Sequence, residues 1–199
     1  MAFSNVAYDN AANKVAVASS GGIEFLVDLL NEHRSHAGVQ QSCCGAISSV
    51  ASGNGYNQAL VAAAGGVKSI VDMLILHRID ADLQQTGCQA LGILAKVAAG
   101  RRAGHQDQVV IQAGGIEAVV SALRNHASNA DVQKWGCWAL LQMAQAHASV
   151  PQRLQEHGAE KVVAAAMAAR NAAPATKECG RELARLFQGN RHLWPQNLD

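Results

Sequence analysis

Apolar positions along this chain recur in a helical rhythm rather than an alternating one. Ile116, Val119, Val120 and Leu123 form the stripe of a helix with one buried face. The stripe returns at Ile23, Leu26, Val27 and Leu30, at Val67, Ile70, Val71 and Leu74, and in smaller side chains at Ala159, Val162, Val163 and Ala166. Burying each large aliphatic side chain contributes roughly 1.5–3 kcal/mol, so each stripe predicts a helix held by packing. Every stripe starts just after glycine: Gly21-Gly22, Gly65-Gly66, Gly114-Gly115 and the single Gly158. Shorter apolar segments at 9–20, 57–64 and 107–113 precede the paired glycines and predict a short first helix in each unit. The first glycine of a pair suits a left-handed turn, and the second lets the next helix leave at a sharp angle.

A polar turn such as Ser128-Asn129-Ala130-Asp131 follows each stripe, with Asn129 or Asp131 placed to cap a third helix and Pro174 fitting the first turn of the last one. Third helices are predicted near 40–51, 83–97, 132–145 and 175–187, with Ile47, Leu91, Leu140 and Leu183 buried, and Val50, Leu94, Met143 and Leu186 three positions later. Aligning Gly22, Gly66, Gly115 and Gly158 gives spacings of 44, 49 and 43 residues. A landmark at Val39, Leu83, Val132 and Ala175 keeps step with them, so the extra length is a local insertion near residues 98–105. A period of this size marks stacked helical units that bury a continuous core between neighbours.

Composition sharpens this picture. Hydrophobic residues make up 49% of the 199-residue chain but aromatics only 4%, which suits closely stacked helices with an aliphatic core. A net charge of +1 gives no global attraction to nucleic acid or acidic membranes. No stretch approaches the ~18 apolar residues of a membrane span, and the N-terminus does not read as a signal peptide. Cys44, Cys88 and Cys137 share one column, and Cys43 and Cys179 the column before it, where Gly87 and Gly136 stand in other units. Such columns demand a small residue at a close helix contact. Reduced thiols then fit an intracellular, cytoplasmic setting, with a nuclear one also compatible.

Gly-Gly-Ile-Glu-x-Val-Val-x-x-Leu, a polar turn, then Val-Gln-x-x-Gly-Cys-Trp-Ala-Leu-x-x-Met-Ala resembles the armadillo repeat. The likeness covers residues 9–188, divided as 9–53, 54–97, 105–147 and 148–188, with a tail at 189–199 that includes Trp194. It implies an all-α fold, a right-handed α-solenoid of about four three-helix repeats. It also implies a concave groove lined by third helices that binds extended peptides, without catalysis or cofactor. Helical spacing picks out the groove row as Gln41, Gly45 and Ser49, then Gln85, Gln89 and Ile93, then Lys134, Trp138 and Gln142, and finally Lys177, Arg181 and Arg185. The importin-alpha branch of the family repeats a tryptophan and, four residues on, an asparagine. Only Trp138 keeps the first, with Gln142 in the second place, so a nuclear import receptor is not expected. The row from Lys134 to Arg185 resembles the basic grooves of beta-catenin-like members. The expected partner is an extended protein segment, acidic toward the C-terminal half, with an apolar residue on Trp138. The alternative is a structural solenoid that associates with itself through its end units or forms part of a larger repeat assembly.

Residue types that carry chemistry do not converge. His33, His77 and His126 recur once per unit, whereas a metal needs several ligands within about 2.0–2.1 Å of one ion. Neither a phosphate-binding loop nor a nucleophile elbow occurs, and no strand precedes the paired glycines. An enzyme or metal protein is therefore not expected. Base-reading of RNA requires a stacking side chain in most units, which this chain lacks.

Overall fold

The computed structural model describes residues 10–96, 105–146 and 149–187, and all regular structure among them is helical. Residues 1–9, most of the 98–105 insertion and the 189–199 tail with Trp194 lie outside these residues. Short first helices are α1 (Ala11–Ser19), α4 (Gly55–Ala63), α7 (His105–Gln112) and α10 (Val150–Glu156). Second helices are α2 (Gly22–Glu32), α5 (Gly66–Leu76), α8 (Gly115–Asn125) and α11 (Ala159–Ala168). Third helices are α3 (Ala37–Ala51), α6 (Ala81–Ala95), α9 (Ala130–Ala146) and α12 (Pro174–Phe187). Third helix packs on third helix from α3 through α6 and α9 to α12, and the second helices stack likewise from α2 to α11.

The paired glycines have separate duties. Gly21, Gly65 and Gly114 sit at φ +76°, +80° and +88°, a left-handed conformation that only glycine adopts without strain. Gly22, Gly66 and Gly115 begin the second helices against the preceding first helix. A Cβ on Gly22 would stand 2.7 Å from the carbonyl oxygen of Val17, and one on Gly115 would stand 2.7 Å from that of Val110. Between α4 and α5 the chain turns through 70° at this point.

The fourth unit is offset by one residue from the sequence alignment. Gly158 has φ +66°, so it matches Gly21, Gly65 and Gly114, and Ala159 takes the place of the second glycine. Each third helix then begins 15 residues after its second helix, at Ala37, Ala81, Ala130 and Pro174. Unit spacings become 44, 49 and 44 residues. Packing agrees with this register. A Cβ on Gly180 would strike Met167, thirteen residues back, as one on Gly87 would strike Leu74 and one on Gly136 would strike Leu123. Thr176, rather than exposed Ala175, is the buried counterpart of Leu83 and Val132. Leu186, expected in the core, is 40% exposed.

Polar side chains tie the units together. Gln40, Gln84 and Gln133 are buried, and each donates from Nε2 to two carbonyls at the end of its own second helix, for example Leu74 at 2.9 Å and His77 at 3.1 Å from Gln84. These are the orphan carbonyls that every helix end must satisfy. The histidine column bridges between units: Nε2 of His77 bonds the carbonyl of Arg34 at 2.7 Å, and Nε2 of His126 bonds that of Arg78 at 2.9 Å. Asn54, Asp80 and Asn129 cap the helices that follow them, which resolves the choice between Asn129 and Asp131. All five cysteines are free and buried.

Candidate functional site

The row on the third helices holds one concentrated feature, at the joint between α6 and α9. Trp138 is half-buried, with its ring over Gly92 of the neighbouring helix; a Cβ there would lie 2.4 Å from Cζ3. Gly92 is thus the seat that lets the indole lie flat across the joint. Trp135 meets Trp138 edge to face at 5.6 Å and 88°, an arrangement aromatic quadrupoles favour. Nζ of Lys134 stands 4.7 Å from the Trp135 ring centre, within cation–π range. Lys134 is thereby held beside the tryptophans rather than extended into solvent.

Trp138 also walls a cleft of about 180 Å³, shared with Ser52, Gly53, Gly55, Gln58, Ile93 and Lys96. The floor is braced: Nε2 of Gln58 donates to the carbonyl of Ile93 at 2.8 Å, closing the C-terminal end of α6. Lys96 is exposed at the rim. The cleft therefore combines an indole face, a buried Ile93 and one exposed cation. The periodic pattern had no means of showing Gln58 and Lys96 there, because they come from a first helix and a helix end rather than from the third-helix row.

The other expected row residues divide into two sets. Gln85 and Gln89 are half-buried on α6, alongside Lys134, Trp138 and buried Gln142 on α9. Lys177, Arg181 and Arg185 do not join them. In the structural register they stand in the columns of Gln133, Cys137 and Leu141, which are buried in the inner units, and here they are exposed on the last one. Glu178, Glu182 and Leu186 take the row positions instead. The basic end expected for the row is replaced by two carboxylates. The cause is the single glycine of the fourth unit, which must occupy the left-handed position and so shifts α12 by one residue.

Among the described residues, no group of three or more His, Cys, Asp or Glu could hold a metal ion. Burial pushes the thiols of Cys44, Cys88 and Cys137 up to about 12, each reinforced by a neighbouring cysteine, so they are protonated and unreactive at neutral pH. No single described helix is long and apolar enough to cross a membrane.

Four stacked three-helix units joined by left-handed glycines, with a tryptophan-centred third-helix row, define an armadillo-repeat solenoid. Residues 10–52 match the Armadillo/beta-catenin-like repeat family. Over 94% of this chain and 72% of the other, the structure superposes on an engineered protein with a TM-score of 0.82 at 24% identity. A designed armadillo repeat protein in complex with the peptide (KR)4 gives 0.79 at 22% identity over the same shares, 94% of this chain and 72% of that one. A second designed armadillo repeat protein gives 0.79 at 23%, covering 93% of this chain and 72% of its own. No curated protein matches. At these identities the likeness fixes the fold and leaves the ligand to be argued from this chain's own residues.

Proposed function

We propose that this protein is a noncatalytic binding module that takes an extended peptide along its third helices, with an apolar side chain of the ligand in the Trp138 cleft. The observation that carries this reading is the cleft itself: an indole laid over Gly92 beside Ile93, rimmed by polar groups. Rigid aromatic side chains give large contact area at small entropic cost, and a preformed site limits what ordering the ligand costs. That a designed armadillo repeat protein of similar fold is found in complex with the peptide (KR)4 supports a peptide as the kind of ligand. Here the ligand charge is reversed around the anchor. Lys96 at the rim and Lys134 one turn before Trp138 favour an acidic residue next to the apolar one, and Glu178 and Glu182 end that preference in the fourth unit.

The test is selection from a displayed library of random extended peptides. Enriched sequences should share an apolar residue flanked by Asp or Glu. Binding should fall at least tenfold in Trp138→Ala and severalfold in Lys96→Glu, a surface change that leaves packing intact. Failure to enrich any sequence, or undiminished binding by both variants with native helical content, would exclude the reading.

A further inference from the structure

The two ends of the solenoid carry opposite charge at the same spacing. On α2, Glu24, Asp28 and Glu32 are all exposed, one helical turn apart, and none has an ion-pair partner among the described residues. On α12, Lys177, Arg181 and Arg185 are exposed at the same interval; Arg185 touches Glu182 on its own helix, and Lys177 and Arg181 have no such partner among the described residues. Residues four apart are neighbours on a helix surface, so each set forms a row about two turns long, inclined to the axis in the same sense on both helices.

The acidic stripe is placed to receive cations from a preceding body. Asp28 stands in the column of Asp72, whose carboxylate reaches Arg34 of the preceding unit at 3.8 Å. Beside the stripe, Phe25 is 53% exposed, although its counterparts Ser69 and Ala118 are buried at 8% and 6% against the preceding second helix. Among the described residues, His33 has no counterpart of the bond to a preceding carbonyl that His77 and His126 make. This face is therefore built like an inner joint, and it has an apolar centre with an acidic flank.

We propose that the occupant of this face is a second copy of the chain, docked by the basic stripe of its α12 along the acidic stripe of α2, next to Phe25. The choice of occupant follows from charge complementarity: three carboxylates face three cations at equal spacing. A head-to-head pair would set acid against acid. Continuation of the solenoid, third helix on third helix, would bury Arg181 and Arg185 against the uncharged α3, which is costly for unpaired charge. The contact is heterologous, so it propagates into short open chains or closes into a ring. Exposed ion pairs are individually weak, and salt at about 0.15 M screens beyond ~8 Å, so the assembly is concentration-dependent and salt-sensitive. It is independent of the Trp138 cleft.

Sedimentation of the full chain tests this. The wild-type protein should associate as concentration rises at low salt and become monomeric at about 0.5 M salt, where the screening length is only a few ångströms. Reversal of the acidic stripe (Glu24→Lys, Asp28→Lys, Glu32→Lys) should give a monomer, and so should reversal of the basic one (Lys177→Glu, Arg181→Glu, Arg185→Glu). Both reversals in one chain should restore association. An equimolar mixture of the two single-stripe variants should also associate, because the α12 of each then meets an α2 of opposite charge on the other, and a mixture that stays monomeric overturns the proposal. Peptide selection on each variant should be unchanged, which separates this proposal from the groove reading. A wild-type monomer at every concentration, or association that survives either reversal or high salt, overturns it.

Discussion

At the scale of single residues, the glycine pairs show how one amino acid does two jobs with different energetics. Gly21 needs its freedom of φ, since nothing lies within 4 Å of where its Cβ would sit. Gly22 needs to be small, since a Cβ would stand 2.7 Å from Val17 O. Alanine at the first site should lower stability by about 1–2 kcal/mol, the cost of left-handed backbone for an L-residue. Alanine at the second should cost more, because it presses on backbone rather than on a flexible side chain. Urea unfolding of Gly21→Ala and Gly22→Ala checks the order; equal or reversed losses would contradict this assignment. The fourth unit shows the same hierarchy by natural substitution. Gly158 occupies the left-handed position, while Ala159 is fully buried at the second, where Leu154 replaces the β-branched Val17, Val61 and Val110 five residues before.

Among the elements, the third helices approach closely because their facing columns hold Cys, Gly and Ala. Cys44, Cys88 and Cys137 have no exposed surface, and burial raises their thiols from an ordinary value of 9.0 to about 12. In the unfolded chain the same thiols ionise near 9, so above that pH the unfolded state binds fewer protons than the folded one. Stability should therefore be level below pH 9 and fall as pH rises from 9 toward 12. Urea midpoints measured between about pH 8 and pH 10 should show the decline, and Cys→Ala at all three positions should remove most of it. The histidine column belongs to this scale as well. A recurring histidine at the end of each second helix was visible in the sequence, but its role was not, because the acceptor is a backbone carbonyl 43 or 48 residues away.

For the molecule as a whole, the main contacts among the described helices run within a unit or between adjacent units, so stability is a chain of local joints rather than one central core. Helices with a neighbour on both sides should be the last to open. Native-state hydrogen exchange is expected to find the highest protection in α6 and α9 and lower protection in α1 and α12, with neighbouring units opening together. Uniform protection from end to end would instead indicate a single cooperative core. This scale also sets the limits of the site. Trp138, Ile93 and Lys96 lie in two units, and only stacking brings them to one cleft.

Periodicity in the sequence was sufficient for the helical units, their glycine joints, the buried aliphatic stripes and the position of Trp138 on a shared row, because these depend on residues within one turn or one unit of each other. Tertiary structure decided what depends on contacts between units. It placed Gln58 and Lys96 beside Trp138, turned the histidine column into bridges, and moved Lys177, Arg181 and Arg185 off the row to exposed positions on α12. A shift of one residue is nearly invisible in an alanine-rich segment such as 159–169, yet on a helix it rotates every side chain by about 100°. The register there was fixed by the backbone angle that one glycine alone could adopt.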